Sequence, residues 1–112
     1  MKFMNINKAI WISYDLGLTG DYIGLYTFLD SVKAKECGNS IAFFEKDYGD
    51  DLLASLKTEI ETFVTFSKTD RIYVIYLDRN SVKVKGKFLF GGRKRAPWEG
   101  YAIQQTQNEE DF

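Results

Sequence analysis

The chain has 112 residues, 45% hydrophobic and 16% aromatic, with a net charge of −1 at pH 7. That size and composition describe one self-standing globular domain and exclude an intrinsically disordered chain. There is no histidine and a single cysteine, Cys37, which excludes imidazole catalysis, imidazole metal ligation and any disulfide within the chain.

Residues 1–10 (MKFMNINKAI) show no signal-peptide apolar segment, and no apolar run approaches the ~20 residues that span a bilayer. A cytoplasmic protein without a membrane partner is expected, and the lone cysteine fits a reducing compartment. Residues 8–15 (KAIWISYD) are a β-branched and aromatic run that predicts a strand ending at Asp15. Residues 16–21 (LGLTGD) read as a loop closing on Asp21, a helix-capping residue. Apolar residues at Tyr22, Leu25, Tyr26, Leu29 and Val32 then predict a helix buried along that face. Gly24 inside it is worth roughly 1 kcal/mol less than alanine, so its presence points to close packing. Residues 33–36 (KAKE) read as the helix end with cations at its negative pole. Residues 35–38 offer a brief strand, and residues 40–46 (SIAFFEK) a firmer one.

Gly49, Asp50 and Asp51 open a second helix, with Leu53, Leu56, Ile60, Phe63 and Val64 on its apolar face. Tyr48-Gly49-Asp50-Asp51 also matches the metal-binding YGDD of palm-type polymerases. That role requires a tight hairpin, and the helical spacing that follows predicts a turn and cap instead. Residues 71–78 (RIYVIYLD), apolar on both faces, predict a central strand. In the last strand, residues 82–90, Val82, Val84, Gly86, Phe88 and Phe90 should face one way. Lys83, Lys85, Lys87 and Leu89 should face the other, the lysines also guarding an edge. Residues 1–102 then form a single domain, and the acidic residues 103–112 a flexible tail. This order of elements predicts an α+β two-layer sandwich with both helices on one sheet face. Counting the brief strand, it is a ferredoxin-like βαββαβ unit with an extra C-terminal β-strand.

Charge is the clearest functional pointer. Residues 79–95 hold seven Lys/Arg and no acid, in a chain that is otherwise acidic. Such segregation attracts an anionic partner. Lys83, Lys85 and Lys87 on the strand, and Arg93, Lys94 and Arg95 in the GGRKR loop, are the candidate phosphate ligands. Paired glycines let backbone amides approach phosphate, and Trp98 and Tyr101 lie where they could stack on a base or sugar. No Gly-Lys-Ser/Thr follows, so this is not a Walker loop. The competing reading is a solvated basic loop with Trp98 folded back on the core. Asp21, Asp30, Glu36 and Glu45 show no metal-ligand spacing, and Cys37 reads as a small buried hydrophobe.

Asp15, closing a strand beside a loop, can serve as a metal ligand or as a loop cap. The segments IWISYDLG, GNSIAFFEK, YGDDLLASL and DRIYVIYLD, spread over residues 8–78, resemble the CRISPR adaptation endonuclease-like and VapD-like ferredoxin superfamily. The resemblance implies a homodimer with facing sheets and Asp15 as a magnesium site at the dimer axis. Several members of that superfamily cut RNA or DNA, and others hold nucleic acid without cutting it. This chain departs from the pattern: LGLTGDYIG replaces an arginine-rich segment after Tyr-Asp, and residues 82–102 are an addition. The expected function is binding of RNA, DNA or a nucleotide phosphate, with magnesium-dependent nuclease activity as its catalytic form. The alternatives are a non-enzymatic protein-interaction or scaffold module and a small-nucleotide sensor.

Overall fold

The computed structural model describes residues 8–78 and 81–102, and the expected tail, 103–112, lies outside them. The elements are β1 (Lys8–Asp15), α1 (Tyr22–Ser31), β2 (Lys35–Glu36), β3 (Ile41–Lys46), α2 (Leu52–Glu61), β4 (Arg71–Asp78) and β5 (Lys83–Phe90). They build the expected α+β architecture: one sheet ordered β2-β3-β1-β4-β5, with every neighbouring pair antiparallel. No helix among the described residues is long and apolar enough to cross a membrane.

Strand alternation divides the sheet into two unlike faces. Ile10 and Ile12 pair with Phe44 and Ala42 on one side, and Ile12 pairs with Val74 on the other. These residues are buried in one core with Leu25 and Phe28 of α1 and Leu52, Leu56 and Ile60 of α2. Both helices therefore cover the same face. The opposite face carries Trp11, Ser13, Phe43, Tyr73 and Ile75. Trp11 and Ile75 stay 38% and 37% exposed there.

Helix α1 is capped by Asp21, whose Oδ1 accepts the Gly24 N–H at 2.9 Å. It stops where Lys33 turns left-handed (φ 57°), with the Lys33 N–H on the Asp30 carbonyl and the Ala34 N–H on the Leu29 carbonyl. Lys33 and Lys35 thus lie beyond the helix, and no basic residue occupies its last turn. The buried face also differs from the expected one. Gly24, Leu25 and Phe28 are buried, whereas Tyr22 and Tyr26 are exposed. Apolar residues surround much of α1, so spacing alone leaves its rotation open. Gly24 settles it, because a Cβ there would press on the Phe63 carbonyl and come within 2.5 Å of Asp21 Oδ2.

Helix α2 begins as expected from a turn and cap: Asp51 Oδ1 accepts the Ala54 N–H at 3.1 Å. Its buried stripe is Leu52, Leu56 and Ile60, and Phe63 and Val64 pack on the core from beyond its end. Cys37, expected to be buried, is exposed.

Two aspartates clasp the loops at one end of the sheet. Asp21, from the β1–α1 loop, accepts the Thr65 N–H at 2.9 Å across the gap. Asp70, from the α2–β4 loop, reaches back to accept Gly17 N–H at 2.9 Å and also holds Ser67 N–H at 2.8 Å. Asp70 is only 2% exposed. Burial pushes its carboxyl up, but the hydrogen bonds from Ser67 and Gly17 outweigh that and hold it below its ordinary value.

Edge strand β5 departs from simple alternation. Tyr73 pairs with Phe88 but Ile72 pairs with Phe90, so a β-bulge at Leu89 inserts one extra residue. Leu89 is buried in the core, and Phe90 stacks on Phe66 at 3.8 Å on that same side. Phe88 and Phe90 therefore face opposite ways, not together as alternation predicts.

Candidate nucleic-acid interface

Antiparallel register places Asp15, the last residue of β1, opposite Arg71, the first of β4. Arg71 donates to Asp15 Oδ2 from Nη2 at 2.7 Å and from Nε at 3.2 Å, and its Nη1 reaches the Gly92 carbonyl at 3.4 Å. The ion pair is open to solvent and worth at most about 1 kcal/mol, so its effect is to orient the guanidinium. Gly91 brings the following loop down onto this corner. It sits at φ 75°, and a Cβ there would lie 2.6 Å from the Asp70 carbonyl and 2.7 Å from Arg71 Cγ. The second glycine of the pair, Gly92, has open space around it.

That loop delivers Arg93 over the aromatic rings of the open face. Its guanidinium carbon lies 5.6 Å from the Tyr73 ring centre and 5.4 Å from that of Phe88. The two rings meet edge to face at 4.8 Å. Tyr73 lies across Gly86, where a Cβ would come 2.7 Å from Tyr73 Cζ. Ser13, Asp15, Arg71, Tyr73, Phe88 and Arg93 together line a cleft of about 260 Å³. Among the described residues, the ion pairs are Lys46–Glu59, Arg71–Asp15, Lys85–Asp78 and Arg95–Glu99. Arg93 therefore enters the cleft with its charge over the rings and with no ion-pair partner among the described residues.

The structure gathers some of the expected residues and separates others. Asp15 and Arg93 both line the cleft, and Lys94 is exposed in the same loop. Arg95 pairs with Glu99 at 2.6 Å. Trp98 is 73% exposed, so it does not plug the core. Lys83, Lys85 and Lys87 pair with Asp78, Tyr76 and Val74, which puts them on the helix side of the sheet, away from the cleft. A hydrogen bond from Lys85 to Asp78 raises the lysine pKa. The described cations of the basic segment are thus split between the helix side of the sheet and the loop beside the cleft.

Ser13, Arg71, Tyr73 and Phe88 escape sequence reasoning, because which residue faces Asp15 depends on strand pairing. The available signal was the two-faced apolarity of residues 71–78, which leaves Tyr73 and Ile75 unused by the core. A second depression is lined by Tyr14, Tyr22, Tyr26, Glu36, Gly38, Asn39 and Ser40, where the exposed tyrosines of α1 gather. Burial, and then the neighbouring Tyr26, raise the Tyr14 pKa.

Among the described residues, the cleft offers a dication a single carboxylate, Asp15, already shared with Arg71, with Arg93 nearby. No group of three or more His, Cys, Asp or Glu able to hold a metal occurs among the described residues. Comparison with protein-family models, curated proteins and solved structures finds no match to this chain.

Proposed function

We propose that this protein binds nucleic acid through its phosphates, using the cleft at the Asp15–Arg71 corner and the adjoining basic loop. The observation that carries this reading is Arg93: a guanidinium set over Tyr73 and Phe88, beside Arg71, without a carboxylate of its own among the described residues. A phosphate is the natural complement, since its oxygens match two guanidinium forks. The strand order β4-β1-β3-β2 inside the sheet supports reading the fold as ferredoxin-like, with β5 as the added strand.

Binding of labelled RNA and DNA followed by fluorescence anisotropy against salt tests this. Arg93→Ala should weaken binding about tenfold and flatten the salt dependence by about 0.7–0.9 in slope, one phosphate contact. Absence of binding at low salt would leave the interaction-module reading. Thermal stabilisation by a mononucleotide alone would favour the nucleotide-sensor reading.

Asp15 gives a second, opposite expectation. It neutralises Arg71 in the free protein, so it competes with any phosphate for that guanidinium. Asp15→Asn should tighten binding in EDTA about threefold to tenfold, the scale of one charge-assisted hydrogen bond, with little change in stability.

A rival reading, carried by the resemblance, is a homodimer through the open face with magnesium-dependent nuclease activity at Asp15. Magnesium would then need carboxylates beyond those the described residues of one chain bring to Asp15, and when bound it would polarise the scissile phosphate. In that case Asp15→Asn abolishes probe shortening in magnesium instead of tightening binding.

A further inference from the structure

Resting on the phosphate-binding reading, we infer that the open sheet face is a stacking platform for single-stranded nucleic acid, with the Arg71–Arg93 corner anchoring its backbone. Register aligns Phe43, Trp11, Ile75 and Gly86 in one row across β3, β1, β4 and β5. Ile41, Ser13, Tyr73 and Phe88 form the next row, and Asp15 and Arg71 the one after. The face therefore grades from apolar and aromatic to cationic in the space of three rows.

Its rings are held in place. Trp11 leans on Phe43, with centroids 5.0 Å apart. Tyr73 is laid down over Gly86, a residue whose missing side chain makes room for the ring. Trp11, Ile41 and Ile75 remain 38%, 39% and 37% exposed, which is a contiguous apolar surface of the kind that marks a binding site. Unpaired bases offer π faces and apolar area to such a platform, and stacking of this kind tolerates any base. A duplex keeps its bases stacked inside and presents only phosphates, so it can use the cationic corner but not the aromatic rows.

A second copy of the chain is the rival occupant. Pairing this face with itself would draw Arg93 out of water along with Arg71, with Asp15 the one counter-charge in the cleft among the described residues. Burying an unmatched guanidinium is strongly unfavourable, whereas a polyanion supplies the missing charge.

The test compares one oligonucleotide, single-stranded and annealed to its complement, in EDTA at matched salt. The single strand should bind about tenfold more tightly than the duplex. Trp11→Ala should weaken single-strand binding about tenfold, the worth of one stacked base, leaving duplex binding and the salt slope unchanged. Phe43→Ala is the second variant should Trp11→Ala fail to fold. In Trp98→Phe protein, quenching of the remaining Trp11 emission by the single strand reports the same contact without altering the face. Equal binding of both forms, insensitive to Trp11→Ala and Phe43→Ala, overturns the platform and leaves phosphate recognition standing. Failure of both forms to bind at low salt overturns both. A dimer that Trp11→Ala splits, with no single-strand binding, assigns the face to a second copy and also overturns the inference.

Discussion

Asp70→Ala should cost about 3–4 kcal/mol of stability, the combined worth of two hydrogen bonds to a charged acceptor whose donors are then left unmatched. For a domain of this size that is a fall of roughly 15 °C in melting temperature. The carboxylate is buried, and its oxygens satisfy Gly17 N–H and Ser67 N–H, two backbone donors on separate loops. Asp70→Asn keeps the shape but sets an amide N–H₂ against one donor, so it should cost about half as much. The difference between wild type and Asp70→Asn should also depend on pH. The folded-state pKa of Asp70 lies below its ordinary value of 3.8. Its contribution is therefore complete above the unfolded-state pKa and disappears as pH falls through the folded one. Chemical denaturation at neutral pH and through the acid range measures both. A gap that is constant down to the lowest pH would show that the charge is not what holds the clasp. Because Asp70 precedes Arg71 and its carbonyl lies under Gly91, loosening the clasp should also displace the cationic corner and weaken anion binding.

Gly24→Ala should destabilise the protein by about 2 kcal/mol, although the same change in an exposed helix stabilises by roughly 1 kcal/mol. The sign is what makes the prediction sharp. The new methyl would press on the Phe63 carbonyl, which is backbone and cannot swing aside, and on Asp21 Oδ2 at 2.5 Å. Overpacking of this kind costs about 1–3 kcal/mol. Loss of the displaced Asp21 cap adds about 1 kcal/mol, together outweighing the propensity gain. A melting temperature equal to or above wild type would show that α1 can shift outward, and that its close approach to Phe63 is not required.

These two positions show how far the sequence could be read. Gly24 was recognisable as a sign of close packing, and Asp21 and Asp51 as caps, because both inferences are local. The elements of the described residues followed from composition and apolar spacing, but the rotation of α1 did not. Tyr22 and Tyr26 have the correct spacing for a buried stripe, yet the helix turns Gly24, Leu25 and Phe28 inward. Asp15 and Arg93 were legible as charged residues at the end of a strand and in a glycine loop. Their meeting was not, since it depends on antiparallel register and on Gly91 packing against Arg71. Lys83, Lys85 and Lys87 mislead for the converse reason. Adjacency in sequence made one basic patch of residues that the pleat sends to the other side of the sheet.

The bulge at Leu89 makes the edge strand two modules in series. From Leu89 onward, side chains of β5 close the core, and Phe88 just before the bulge lines the cleft. The stretch from Lys83 to Lys87 is exposed throughout. Charge on that outer stretch can therefore drift in evolution, or be rewritten by an engineer, without repacking the interior or re-aiming the cleft. On the proposed reading, long-range attraction for polyanions is therefore adjustable independently of the contacts that would grip them.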